Sequence, residues 1–168
     1  MFKYLMWNKP KIISYDELVY LTDSINDKVI GITTGCFDIF HAGHLKSIKF
    51  SKQNCDILIL FLNSDSSIKK LKGEDRPINN LEERLELLSE LPYIDYITIF
   101  DQPDVEPLIK NISFDILFKG GDYKIEYLKN KFPDVKVLLS DYIKKSDGQA
   151  NSTSNIIQKL TDTLYQVS

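Results

Sequence analysis

The segment that most narrows the fold is residues 56–62, Asp-Ile-Leu-Ile-Leu-Phe-Leu, where every position after the aspartate is apolar. A strand with one wet face alternates apolar and polar residues. A strand apolar at both parities must be covered on both sides, as in a parallel sheet held between helices. The apolar stretch 57–62 is also far shorter than the roughly 20 residues that span a bilayer. Shorter strand-like runs occur at 29–34, 96–100, 116–119 and 135–139. Between them lie patterns of helical period. Ser14-Tyr15-Asp16-Glu17 has capping-box form ahead of Leu18, Leu21 and Ile25, which predicts a helix to about residue 26. Asn80 is placed to cap a helix through residue 91, with Leu81, Leu85 and Leu88 on one face and Pro92 ending it. Further helices are expected over 43–53, 105–111, 123–131 and 153–165. Strands separated by helices at this rhythm predict an α/β fold: a Rossmann-like, doubly wound, parallel five-stranded sheet with helices on both faces. No repeat, low-complexity tract or linker marks a second domain, so residues 1–28 read as a helical extension packed on a domain formed by 29–168.

Composition excludes several functions. Hydrophobic residues at 43% and charged residues at 27% of 168 are ordinary for a folded soluble domain. Lysine plus arginine (21) against aspartate plus glutamate (24) gives a net charge of -3, unlike proteins that bind nucleic acid through its phosphates. Charges and Pro10 interrupt the first eleven residues before a signal-peptide core develops. Two cysteines, Cys36 and Cys55, make no disulfide framework. The expectation is a cytoplasmic protein with neither a membrane nor a nucleic-acid partner.

In doubly wound sheets ligands bind beyond the carboxyl ends of the strands. After the first of the long strands comes Gly35-Cys36-Phe37-Asp38-Ile39-Phe40-His41-Ala42-Gly43-His44, which holds both of the chain's histidines. Glycines let backbone approach a ligand closely, and a helix beginning near Gly43 points amide donors outward. Two imidazoles beside such a terminus suit phosphate oxygens. Two structural histidines at a strand-to-helix turn would give the same letters. So would a zinc site of Cys36, His41 and His44, although no second cysteine–histidine pair completes it. A Rossmann dehydrogenase would need GxGxxG here, and a P-loop kinase GxxxxGK[ST]; neither pattern occurs.

The segment His41-Ala42-Gly43-His44, preceded by Gly35-Cys36-Phe37-Asp38, resembles the HxGH signature of the nucleotidyltransferase (cytidylyltransferase-like) superfamily. Further matches follow in order: Asn63-Ser64-Asp65, Leu71-Lys72-Gly73, Arg76-Pro77, Glu83-Arg84, then 118–123 (Phe-Lys-Gly-Gly-Asp-Tyr) and 152–157 (Ser-Thr-Ser-Asn-Ile-Ile). The set is most similar to the adenylyltransferase domain of ADP-heptose synthases, and more distantly to glycerol-3-phosphate cytidylyltransferases. The resemblance implies a nucleotidyl transfer. A phosphorylated small molecule attacks the α-phosphorus of a nucleoside triphosphate in line and pyrophosphate leaves, with Mg²⁺ accompanying the triphosphate.

By the same resemblance His41, His44 and Lys72 are the catalytic candidates. Gly35, Cys36, Phe37, Lys46, Arg84, Gly120, Asp122, Ser152 and Thr153 are the nucleotide-binding ones. Bland readings stand beside several of them. Lys72 is one of three lysines with Lys69 and Lys70, Lys46 fits an exposed helix position, and Arg84 can pair with neighbouring glutamates. Gly120 and the glycine after it suit a strand-closing turn. Ser152 and Thr153 suit a helix cap, and the same free amides would also bind phosphate. Residues 144–151 lack the arginine that cytidylyltransferases carry before the Ser-Thr pair, which favours the heptose branch, but the interval from Asp147-Gly148 to Ser152 is longer than the heptose pattern. The expected reaction is ATP plus D-glycero-D-manno-heptose 1-phosphate. The alternative is CTP with glycerol 3-phosphate or another phosphorylated polyol, sugar or small molecule. A non-catalytic nucleotide-binding module is the rival of a different class. No sugar kinase lies in these residues, so the acceptor is expected from another protein. A homodimer is compatible with the resemblance.

Overall fold

The computed structural model describes residues 11–120, 124–140 and 153–165. Its strands are β1 (Lys11–Ile12), β2 (Ile30–Gly35), β3 (Ile57–Asn63), β4 (Tyr96–Phe100), β5 (Ile116–Gly120) and β6 (Lys136–Ser140). Helix α1 (Tyr15–Ser24) precedes β2, and α2 (Ala42–Gln53) joins β2 to β3. Helices α3 (Asp65–Lys72) and α4 (Leu81–Ser89) join β3 to β4. Then follow α5 (Glu106–Ile109), α6 (Ile125–Lys131) and α7 (Thr153–Tyr165). All pairings are parallel and the spatial order is β1-β4-β3-β2-β5-β6. The five expected strands are present. The sixth is β1, two residues too short to show a period, set on the edge of the sheet by Lys11 N to Asp95 O and Ile13 N to Ile97 O at 3.0 Å.

The strand faces sort the core into two. Ile30, Ile32, Ile59, Phe61, Leu117 and Val137 pack with Leu18 of α1, Ile109 of α5 and Leu128 of α6. Their alternates Leu58, Leu60, Leu62, Ile97, Ile116 and Phe118 pack with Ile48 of α2 and Leu88 of α4. Helices therefore cover both faces, as the doubly apolar β3 requires. Residues ahead of β2 join the first core: Leu18 is fully buried there, and the Tyr15 hydroxyl donates to Leu108 O at 2.8 Å.

The chain proceeds β2-β3-β4 to one side of β2 and then returns to lay β5 and β6 on its other side. The order reverses between β2 and β5, which in such sheets opens a crevice at the strands' carboxyl ends. The β2–β5 register runs only over Gly31↔Ile116, Ile32↔Leu117 and Thr33↔Phe118, stopping short of both strand ends. Among the described residues no helix is long and apolar enough to cross a membrane.

Candidate active site

Where the β2–β5 ladder stops, the strand ends part around a cleft of about 610 Å³, within the range of small-molecule sites. Gly35, Cys36, Phe37, His41, His44, Lys72, Gly120 and Thr153 all line it. These are eight of the twelve residues singled out from the sequence.

The turn after β2 is held under local strain. Phe37 has φ 48°, a conformation that bulky residues rarely adopt. Its ring lies so close to Gly35 that a Cβ there would come within 2.9 Å of it, so the position requires glycine. The same ring is buried and packs on the His44 imidazole, centroids 5.0 Å apart. Asp38, also buried, fastens the turn to the segment beyond α3. One of its oxygens accepts the amides of Ile78 and Asn79 at 2.9 Å, and the other accepts Arg76 Nε at 2.7 Å. Burial alone would raise the Asp38 pKa; the two amides and the guanidinium outweigh it and hold the carboxyl below its ordinary value.

His41 caps α2 with extended backbone, and its Nδ1 accepts the Gly43 amide at 3.0 Å, which leaves Nε2 as the ring's N–H donor. His44, three residues on, stacks against it with centroids 3.9 Å apart and planes tilted 20°. Burial, then the neighbouring His41 and Lys72 charges, push the His44 pKa down to about 3. Its Nδ1 is buried with no hydrogen-bond partner among the described residues.

Lys72 is the last residue of α3 and stands exposed on the cleft rim. Gly73 caps the helix at φ 98°, a left-handed backbone that directs the chain away directly after the lysine. No helix is among those expected from the sequence here. With Ile68 and Leu71 as its only apolar residues, α3 shows a weak stripe, and its clearest sign is the Ser64 cap, which accepts the Ser67 amide.

Lys46 is exposed on α2 and does not line the cleft. Arg84 is also away from the wall, for the opposite reason: it is 2% exposed. Its guanidinium donates to Cys36 O (2.8 Å), Asn63 O (2.7 Å) and Asn79 O (3.1 Å), and pairs with Asp65 at 2.7 Å. It thus ties together the ends of β2 and β3, the segment before α4 and the first turn of α3. Asp122 and Ser152 lie outside the described residues. Thr153, at the start of α7, donates its hydroxyl to Ile39 O at 3.4 Å, which puts that helix terminus beside the histidine turn.

The cleft also has lining to which the sequence reading gave no site role. Asn63 ends β3, Asp104 and Glu106 stand on the segment entering α5, and Thr34 and Lys119 sit near the ends of β2 and β5. Glu106 pairs with Lys131. Lys119 carried a legible sign, being a lysine directly after Ile-Leu-Phe in a strand apolar on both faces. Among the described residues no three His, Cys, Asp or Glu side chains converge to hold a metal ion, and burial raises the Cys36 thiol above its ordinary pKa.

Residues 32–159 match the family model described as cytidylyltransferase-like. The bifunctional protein HldE of Helicobacter hepaticus is 43% identical over 150 residues, covering 89% of this chain and 30% of the relative. That of Campylobacter jejuni subsp. jejuni serotype O:6 is 42% identical over 152 residues, covering 90% and 32%. The chain spans about a third of the length of these relatives. Among solved structures, the lipopolysaccharide core biosynthesis protein of Thermoplasma volcanium GSS1 superposes with TM-score 0.59 at 28% identity, over 67% of this chain and 95% of that one. The pantoate-beta-alanine ligase of Francisella tularensis superposes with TM-score 0.68 over 88% and 73%, and at 17% identity it shares the fold alone.

Proposed function

Because the chain belongs to the cytidylyltransferase-like family of nucleotidyltransferases, we propose that it transfers AMP from ATP to D-glycero-D-manno-heptose 1-phosphate, releasing pyrophosphate. One observation carries the reading: two stacked imidazoles at the start of α2 open onto a cleft also lined by Lys72 and by Thr153 at the start of α7. Two helix N-termini and an Nε2–H donor converge there, which is what a polyphosphate needs and a hydride or acyl substrate does not.

The acceptor's phosphate oxygen forms the new bond to the α-phosphorus. The bond to the bridging oxygen breaks, and its electron pair leaves with pyrophosphate. Such chemistry asks the protein for position and for charge stabilisation. His41 donates from Nε2 to the transferring phosphate or the leaving group. His44, kept neutral, packs as the fixed second imidazole. Lys72 closes over the phosphates from the rim. Arg84 and Asp38 act one step back, holding the turn and the Lys72 segment in register. Mg²⁺ would accompany ATP and supply charge neutralisation, with phosphate oxygens and water as most of its ligands.

The ATP preference draws support from relatives at about 40% identity and from a stretch before Ser152 without arginine. The test is pyrophosphate release from ATP, CTP, GTP and UTP with Mg²⁺ against sugar and polyol phosphates. ATP with the heptose 1-phosphate should turn over, and His41→Ala should lower kcat by about 10²–10³. Release only with CTP would move the chain to the cytidylyltransferases, and silence across the panel would refute the acceptor.

A further inference from the structure

The cleft is not uniform in charge. His41, His44 and Thr153 line it at the starts of two helices, yet Asp104 and Glu106 line it too, and a carboxylate is repelled by a polyphosphate. The two sets reach it from different places. The histidines stand at the start of α2, which packs on the face it shares with α4, and Thr153 joins them through Ile39. Ser47 of α2 bonds Ser140 at the end of β6, oxygens 2.8 Å apart, so this set lies toward the β5–β6 side of β2. Asp104 follows β4, two strands from β2 on the other side, and the adjoining Val105 is buried in the core of α1, α5 and α6. Lys72 follows β3, which comes between the two sets in the strand order.

Asp104 is exposed but braced. One of its oxygens accepts the Glu106 amide at 2.9 Å, and the Glu106 side chain, only 18% exposed, pairs with Lys131 of α6. The other Asp104 oxygen has no partner among the described residues. A carboxylate oxygen is a hydrogen-bond acceptor. Phosphates repel it, whereas hydroxyl groups donate to it. In-line displacement at phosphorus puts the attacking and leaving oxygens on opposite sides of the transferring group. If the leaving pyrophosphate rests on the starts of α2 and α7, the acceptor approaches from the β3–β4 side. We propose that Asp104 accepts hydroxyl groups of the acceptor's sugar or polyol portion, and so selects polyhydroxylated phosphates for the transfer. The contact is a hydrogen bond throughout, and no bond to Asp104 forms or breaks. This rests on the proposed nucleotidyl transfer for the order of the reactants along the cleft, though not on which sugar is the acceptor.

Two substitutions in the full chain test it. Asp104→Asn keeps a carbonyl oxygen for the Glu106 amide and turns the outward acceptor into a donor, whereas Asp104→Ala removes both. Each should raise KM for the heptose 1-phosphate by about ten- to a hundredfold, the loss expected for a hydrogen bond to a charged group. KM for ATP and the melting temperature should stay near the wild-type values. An unchanged KM in Asp104→Asn with a raised one in Asp104→Ala would mark a loop brace and overturn the proposal. So would unchanged KM values in both variants, or a rise confined to ATP, which would put the carboxylate on the nucleotide or its metal. If the wild type rejects the heptose but turns over another sugar or polyol phosphate, the heptose reading fails, and the same KM comparison with that acceptor decides the role of Asp104. Silence of the wild type with every sugar and polyol phosphate would overturn both.

Discussion

Burial beside His41 and Lys72 brings the His44 pKa to about 3, so this ring does not change charge across the range where an ordinary histidine titrates. The sign follows from linkage. Below about 6.5 the unfolded chain binds a proton at His44 that the native protein refuses, so stability declines as the pH is lowered from there. Asp38 contributes in a separate window. Its depressed carboxyl loses its stabilising effect only below its ordinary value of 3.8. Urea midpoints measured between pH 7 and 5 should therefore fall more steeply for the wild type than for His44→Phe, and equal slopes would contradict a neutral buried ring. Arg84 is the other residue whose surroundings set its role. Arg84→Met would leave three carbonyl oxygens and Asp65 without their cation, and should cost about 3–5 kcal/mol in denaturant unfolding. A residue touching nucleotide would instead raise KM for ATP at unchanged stability. Its helical spacing held the clue, since Arg84 lies four residues before the buried Leu88, on the inward stripe of α4.

The strands share a device at their amino ends. Asp56, Asp95 and Asp115 each stand immediately before a strand and accept an amide from the neighbouring one: Val29 N at 2.8 Å, Leu58 N at 2.7 Å and Ile30 N at 2.8 Å. Each carboxylate takes up a donor that the parallel ladder leaves over where it begins. Asp115→Ala should lower stability by about 1–3 kcal/mol while kcat stays at the wild-type value, since this end of the sheet lies opposite the cleft. A loss of turnover at full folding would contradict that separation. The long strands and α4 were legible because burial on one or both faces imposes a period. Helix α3 was not, with two apolar residues in eight, and β1 is specified by its partner β4 rather than by its own letters. The place of the histidine turn could be read from the strand before it and the glycines around it, while its role came from the resemblance. The inward aim of Arg84 and the buried position of Lys119 depend on packing that spacing only hints at.

At the scale of the molecule, β2 belongs to both halves of the sheet. It shares six register pairs with β3 and three with β5. That asymmetry could not be read from the order of elements along the chain, because the alternation of strands and helices is the same whichever side of β2 the later strands join. Only the right-handed crossover and the two covered faces restrict the choice. The short ladder has a further meaning. Past Thr33 and Phe118 the two strands continue for two residues each without a rung between them, and the catalytic candidates gather round that opening. The cleft is thus a vacancy in the sheet's own weave rather than a hollow carved into its surface. If the proposed substrate binds there, it lies between two strand ends that no rung joins.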